Sequence, residues 1–263
     1  MIDKNYYGPW AVIAGGSEGV GSAYARQLAT VGINLVLLAR KSGPLEETAS
    51  EARALGVEVT TLELDLLEDD ALDRLRAVTD LLDVGLLVFN AGAGSYASEF
   101  VSSDLAAVQR TIDLNIKSQL ALTHHFGGRM KERGSGGIIL MGSISGYLGT
   151  EHISFYAAAK AFGRIFAEGL WLELAPLGVH VLEVIPGATR TPALGRLGLN
   201  LDMPGLVLAD PEEVAREGLE HLDQGPIWIT TGHFETAQKQ SGFDRSALLL
   251  EAAERFRKMS SAT

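Results

Sequence analysis

The chain has 263 residues, 46% of them hydrophobic and 21% charged, with 30 glycines and no cysteine. That much apolar material supports a packed core and excludes a disordered or collagen-like chain, while the missing cysteines exclude disulfides, thiolate catalysis and cysteine-ligated metals. Acids outnumber bases 33 to 22, a formal charge of −11; such a surface repels a phosphate backbone, so nucleic acid is not an expected partner.

The opening residues Met1-Ile2-Asp3-Lys4-Asn5 lack the basic start and apolar run of a secretory signal. No window reaches the ~18 apolar residues that cross a bilayer, so the expectation is a cytoplasmic protein without membrane contact. The length fits one domain over residues 1–263.

Along the chain, short Val/Ile/Leu-rich runs alternate with segments of helical period. Strands are predicted over residues 9–14, 34–39, 57–64, 85–90, 137–142, 179–185 and 226–231, and helices over 20–31, 44–55, 68–81, 104–131, 155–177, 211–222 and 246–259. Seven strands separated by helices predict an α/β fold with a doubly wound, Rossmann-like parallel sheet and helices on both faces. Asp210-Pro211-Glu212-Glu213 supplies a cap, a first-turn proline and acids at the positive end of a helix dipole. Residues 189–209 are too long for an ordinary connection and read either as a lid over a substrate or as a surface loop with one short helix.

The first strand runs into Gly15-Gly16-Ser17-Glu18-Gly19-Val20-Gly21 and then a helix. Glycine permits the tight turn and lets a dinucleotide diphosphate approach the N–H groups at the helix start. After the second strand come Ala39-Arg40-Lys41. Without an acid to grip a ribose 2′-hydroxyl, and with two bases, this end favours NADP(H) over NAD(H), although Glu18 carries a charge that opposes a 2′-phosphate. Arg40 otherwise reads as an exposed strand-end base, and Asp65 as a helix cap.

Tyr156 and Lys160 are four apart in an apolar helix and share one face, where an ammonium within ~4–6 Å favours a phenolate. Ser143 lies thirteen residues before Tyr156, at the end of the fifth strand, the edge where ligands bind in doubly wound sheets. Serine and tyrosine hydroxyls there can hold one substrate oxygen as negative charge develops on it. Asn115 stands mid-helix, where asparagine is intrinsically unfavourable. Ser145 and Asp113 are the rival positions. His124-His125 has no partner pair at metal spacing, so no metal site is expected. His152, Tyr96, Tyr147 and Phe155 are candidates for a substrate wall, with loop exposure or ordinary packing the competing reading.

These segments, in order from Trp10 to about Pro192, resemble the short-chain dehydrogenase/reductase family: the Gly15-x-x-x-Gly19-x-Gly21 turn, Asn90-Ala91-Gly92, Ser143, Tyr156-x-x-x-Lys160 and Pro186-Gly187. The resemblance departs at Ala14, where the family has threonine, at Phe89, where it has asparagine, and beyond residue 192. It implies that Ser143 orients the substrate, Tyr156 transfers the proton and Lys160 lowers the Tyr156 pKa while binding the nicotinamide ribose. The Asn115 backbone carbonyl, freed by a helix distortion, would hold a relay water. It also implies a cofactor held by Gly15, Ser17, Glu18, Gly19, Val20, Gly21, Arg40, Asp65, Leu66, Asn90, Ala91, Gly92, Tyr156, Lys160, Pro186, Gly187, Thr189 and Thr191. A homodimer or homotetramer paired through the long helices around 105–126 and 155–174 follows from the same resemblance. The function so implied is hydride exchange between NADP(H) and a fairly apolar carbonyl or secondary alcohol, such as a ketone, a 3-oxoacyl thioester or a steroid. The competing functions are a catalytically silent nucleotide-sensing regulator of the same fold, and an epimerase or dehydratase.

Overall fold

Period-two burial along the central strands decides how the layers assemble. Leu35 and Leu37 face one side of the sheet and Val36 and Leu38 the other, all of them fully or nearly fully buried, so both faces need a cover of helices. The computed structural model describes residues 2–92, 99–196 and 207–260, the last six by backbone alone.

The strands are β1 (Trp10–Ala14), β2 (Asn34–Ala39), β3 (Val59–Glu63), β4 (Val84–Phe89), β5 (Gly136–Met141), β6 (Val179–Ile185) and β7 (Ile227–Ile229). All pair in parallel in the order β3-β2-β1-β4-β5-β6-β7. The helices are α1 (Lys4–Tyr7), α2 (Gly19–Thr30), α3 (Ser42–Ala54), α4 (Ala71–Thr79), α5 (Leu105–Ile112), α6 (Ser118–Arg133), α7 (Ser154–Leu174), α8 (Pro192–Gly195), α9 (Pro211–Glu220), α10 (Phe234–Gln240) and α11 (Arg245–Ser260). One core layer joins Tyr24 and Leu28 of α2, Leu45 of α3 and Val214 of α9 to the sheet. The opposite layer uses Leu75 of α4, Phe126 of α6 and Ala167 of α7. The strand order reverses beside β1 and β4, which opens a crevice above their carboxyl ends.

The expected seven-stranded parallel sheet is present; helices α1 and α10 are not among the predicted elements, and three predicted elements differ in their course. The helix predicted over 104–131 is interrupted by a π-helical turn, Asp113–Lys117. There Asn115 Nδ2 donates to the Thr111 carbonyl at 2.9 Å and Ser118 Oγ to the Asp113 carbonyl at 3.2 Å, side chains competing for helix backbone. The helix predicted from 68 begins at Ala71, because Leu67 N first donates to Asp65 Oδ1 at 3.1 Å. The strand predicted over 226–231 stops at Ile229, since Thr231 N turns to Glu217 Oε2 at 3.0 Å. Asp210 caps α9 as its sequence implies, accepting from Glu212 N at 2.8 Å. Residues 197–206 of the segment 189–209, and Tyr96, lie outside the described residues.

Candidate active site

The turn after β1 is tied to both neighbouring strands. Gly15 N donates to the Leu38 carbonyl of β2 at 2.8 Å, and Asn90 Nδ2, just past β4, donates to the Gly15 carbonyl at 2.9 Å. Gly15 and Gly19 take φ of +83° and +59°, conformations that favour glycine. A Cβ at Gly21 would fall on the Gly15 carbonyl, and one at Gly15 would come within 2.9 Å of Ala91 N. Glu18 occupies the cap position of α2 without a side-chain cap bond, Val20 is buried behind the turn, and the Ser17 carbonyl accepts from Thr48 Oγ1 at 3.3 Å. The result is a turn whose backbone the glycines leave uncovered by side chains of their own, at the start of a twelve-residue helix. It fits a dinucleotide diphosphate, which takes the first-turn N–H groups and the positive dipole end.

Beyond the ends of β2 and β3, a cleft of about 500 Å³ is lined by Arg40, Glu63, Leu64, Asp65, Glu68 and Arg74. Arg40 is exposed on its wall. Asp65 lines the cleft and accepts from Leu67 N in the turn before α4, whose cap position is Asp70 and not Asp65, and the Leu66 carbonyl accepts from Ser118 Oγ at 3.1 Å. Arg74, which pairs with Glu68 and donates to the Glu63 carbonyl at 2.9 Å, joins this wall without a sequence signal to announce it.

The four residues expected to carry the chemistry converge above β4 and β5. Gly92 makes the meeting possible: a Cβ there would stand 2.9 Å from Asn115 Oδ1 and 3.2 Å from Lys160 Nζ. Asn115 is 2% exposed and sits inside the π turn, whereas its rival Asp113 faces outward and pairs with Lys117 at 2.7 Å. Lys160 Nζ donates to the Met141 carbonyl at 2.8 Å and lies 5.7 Å from the centroid of the Tyr156 ring. Ser143 follows β5, and its Oγ accepts from Ser145 N at 3.2 Å, which leaves Ser145 supporting Ser143. Ile144 N donates to the Pro186 carbonyl at 3.0 Å, fastening this loop to the end of β6.

Burial dominates the electrostatics. It pushes the Tyr156 phenol up, against a lowering contribution from the Ser143 hydroxyl. It pushes the Lys160 amine down, against the negative charge of Glu183. Burial thus acts on Tyr156 in the direction opposite to the shift that the family resemblance implies from Lys160.

After β6, Thr189 Oγ1 donates to the Gly187 carbonyl at 3.0 Å, and Thr189 bridges to Ala209, closing the base of segment 189–209. Thr191 caps α8, accepting from Leu194 N at 3.2 Å, and its Cγ2 would lie 2.8 Å from a Cβ at Gly19. The Pro186–Thr191 stretch thus lies against the glycine turn. Tyr147 is half-buried beneath the Arg164 guanidinium at 4.8 Å, Phe155 is buried, and His152 is half-exposed with φ of +66°. Among the described residues no three His, Asp or Glu side chains group as a metal site, and no helix is long and apolar enough to cross a membrane.

Three neighbours of the site were not singled out from sequence. Arg196 pairs with Glu18, the His233 ring packs on Gly187, and Glu183 is buried near Lys160. The one sequence signal was an acid inside the apolar run Val181-Leu182-Glu183-Val184-Ile185.

Residues 9–201 match the short chain dehydrogenase family. The chain is a short-chain dehydrogenase/reductase. This short-chain dehydrogenase/reductase is 31% identical over 260 residues to the 7beta-hydroxysteroid dehydrogenase of Clostridium sardiniense, covering 97% of this chain and 98% of that one. It is 36% identical over 228 residues to the very-long-chain 3-oxoacyl-CoA reductase of Podospora anserina, covering 85% of this chain and 67% of that one. A solved short-chain dehydrogenase from Sphingobium yanoikuyae in complex with NADPH superposes with a TM-score of 0.79 at 31% identity, over 91% of this chain and 94% of that one. Membership makes the protein an oxidoreductase of CH–OH and C=O groups that uses a nicotinamide cofactor.

Proposed function

We propose that the protein is an NADP(H)-dependent reductase of a fairly apolar carbonyl compound, a ketone, a 3-oxoacyl thioester or a steroid-like ring ketone, or the dehydrogenase of the matching alcohol. The observation that carries this reading is the meeting of Asn115 and Lys160 across Gly92, with Tyr156 beside Lys160. The relatives' names, a hydroxysteroid dehydrogenase and a 3-oxoacyl-CoA reductase, support the substrate class, and the NADPH complex of the Sphingobium relative supports the cofactor.

In this mechanism the dinucleotide would rest on Gly15, Ser17, Glu18, Gly19, Val20 and Gly21. Its adenosine end would lie in the cleft of Arg40, Asp65 and Leu66, and its nicotinamide end among Asn90, Ala91, Gly92, Pro186, Gly187, Thr189 and Thr191. When bound, the cofactor supplies or receives the hydride at the substrate carbon. Ser143 Oγ and Tyr156 Oη donate hydrogen bonds to the substrate oxygen and stabilise the charge that develops there. Tyr156 Oη gives up its proton during reduction and takes one during oxidation. The burial that raises the Tyr156 pKa keeps the phenol protonated as a donor for reduction. Lys160 Nζ offers two further donors besides the one engaged by Met141, enough for a ribose hydroxyl and a relay water. In this reading the segment 189–209 would cover the substrate, and Tyr147 and Phe155 would be candidates for the substrate wall.

Fluorescence titration of the protein with NADPH and NADH, followed by a panel of ketones monitored at the nicotinamide absorbance, tests the reading. Tighter binding of NADPH and turnover of bulky apolar ketones are expected. Equal or tighter NADH binding would overturn the cofactor assignment, and turnover confined to small polar carbonyls would overturn the substrate class.

A further inference from the structure

Glu183 is 1% exposed in the middle of β6, a strand paired on both edges. Strand alternation turns its side chain to the α6 and α7 side of the sheet, the side of Val179 and Val181. There the carboxyl group fills a niche left by missing side chains. A Cβ at Gly142 would lie 2.8 Å from Glu183 Cδ and Oε1, and a Cβ at Gly163 would lie 2.7 Å from Oε1. Gly142 precedes Ser143, and Gly163 is one helical turn beyond Lys160 on α7, so the niche lies between the two arms of the proposed catalytic group. Glu183 Oε2 makes no hydrogen bond.

A buried carboxyl group in this state is costly to ionise unless a cation answers it. From α7 it faces Lys160, Arg164 and the opposing acid Glu168, and from the loop after β5 it acts on Tyr147. From α6 the niche is bordered by the neutral Gln119, and the pairing residue on β7 is Ile227. Arg164 is already placed over the Tyr147 ring at 4.8 Å and lies 3.5 Å from Glu168. Lys160 is 9% exposed and has surrendered its water for the Met141 carbonyl. Each of the two buried groups favours the charged form of the other, while burial opposes both.

We propose that Glu183 is a positioning residue of the active centre: seated in the Gly142 and Gly163 niche, its carboxyl group ionises only as pH rises, and its charge then holds the proton on Lys160. It contacts neither substrate nor cofactor and acts through Lys160 alone. The inference rests on the role given to Lys160 above, but its central claim concerns a protonation state that can be measured without turnover.

Protein labelled with [13Cε]lysine, with Lys160 assigned by Lys160→Arg, is titrated by NMR as wild type, Glu183→Gln, Glu183→Asp and Gly163→Ala, folding being checked by circular dichroism. Glu183→Gln is expected to lower the Lys160 midpoint by about one pH unit or more, and Glu183→Asp to restore most of it. Gly163→Ala, whose methyl group displaces the carboxylate, is expected to shift the midpoint the same way. In kcat/KM for ketone reduction, Glu183→Gln should match the wild type at low pH and lose activity earlier on the alkaline side. An unchanged Lys160 midpoint in folded Glu183→Gln overturns the proposal, as does an equal loss of activity at every pH. Should Glu183→Gln not fold, the Gly163→Ala midpoint decides. Persisting activity in Tyr156→Phe would overturn the reaction assigned to the site and leave the NMR result to stand or fall by itself.

Discussion

Arg196, just past α8, holds both carboxylate oxygens of Glu18 in the glycine turn, with Nη1 to Oε2 at 3.1 Å across 178 residues of sequence. The pair, helped by Lys41 and Arg40, keeps the Glu18 carboxyl below the usual carboxylate range. It joins the segment after β6 to the cradle of the cofactor. On the proposed NADP(H) reading it also answers a conflict in the sequence, because the Glu18 charge that would oppose a 2′-phosphate is already compensated.

Arg196→Ala should therefore weaken NADPH binding several-fold and NADH binding much less, and adding Glu18→Gln to that variant should recover most of the loss. The Arg196 side chain is half-exposed, so the effect should shrink in concentrated salt. Fluorescence titrations of both cofactors at low and high ionic strength measure it; equal weakening of the two would place the effect on the turn as a whole.

Tyr156→Phe retains the ring beside Lys160 and removes the hydroxyl. Loss of the proton donor is expected to lower kcat by roughly 10²–10⁴ with little change in cofactor affinity. Stopped-flow hydride transfer combined with an NADPH titration separates the two quantities, and a kcat near that of the wild type refutes the assignment.

The fold was legible because every central strand is short, apolar and flanked by a helix of clear period, so sheet and layers follow from pattern alone. The Tyr156 and Lys160 pair was legible for the same reason: spacing of four on a helix fixes a shared face. The π turn was not, since residues 104–131 keep a helical period throughout and the break depends on Asn115 and Ser118 reaching particular carbonyls. Arg196 and His233 were invisible because their partners, Glu18 and Gly187, are distant in sequence and come together only in the tertiary fold. Glu183 was visible as an acid in an apolar strand, but its neighbour Lys160 belongs to another element, and only packing brings them together.

Arg40 stands exposed at the wall of the cleft beyond β2 and β3, where Glu63, Asp65 and Glu68 supply three acids. With Arg74 paired to Glu68, one guanidinium is left against two carboxylates, so on the proposed NADP(H) reading discrimination within this cleft would depend on Arg40. Arg40→Ala is expected to weaken NADPH binding by about tenfold or more, the loss of one charge-assisted contact, and to leave NADH binding nearly unchanged. Isothermal titration with both cofactors checks this, and equal losses would remove Arg40 from the recognition of the 2′-phosphate.

His125, His180 and His233 all have pKa values held below the ordinary histidine value by burial. Between the folded and unfolded values the unfolded chain binds more protons, so stability rises with pH there. The contribution is fully present above the unfolded value of ~6.5 and is lost as pH falls through the lowered folded values. His180 offers the cleanest test, since it lies at the start of β6, at the opposite end of the strand from the site, with Nδ1 2.6 Å from Tyr7 Oη. Burial pushes the Tyr7 phenol up, so it stays protonated beside His180 across this window. Thermal melting between about pH 7.5 and about pH 5.5 should show Tm falling on acidification. His180→Gln should melt lower than the wild type at the upper pH and lose less on acidification, because one of the three proton sinks of the unfolded chain is gone. A wild-type Tm independent of pH across this window would mean that the three rings bind protons equally well in the folded and unfolded chain.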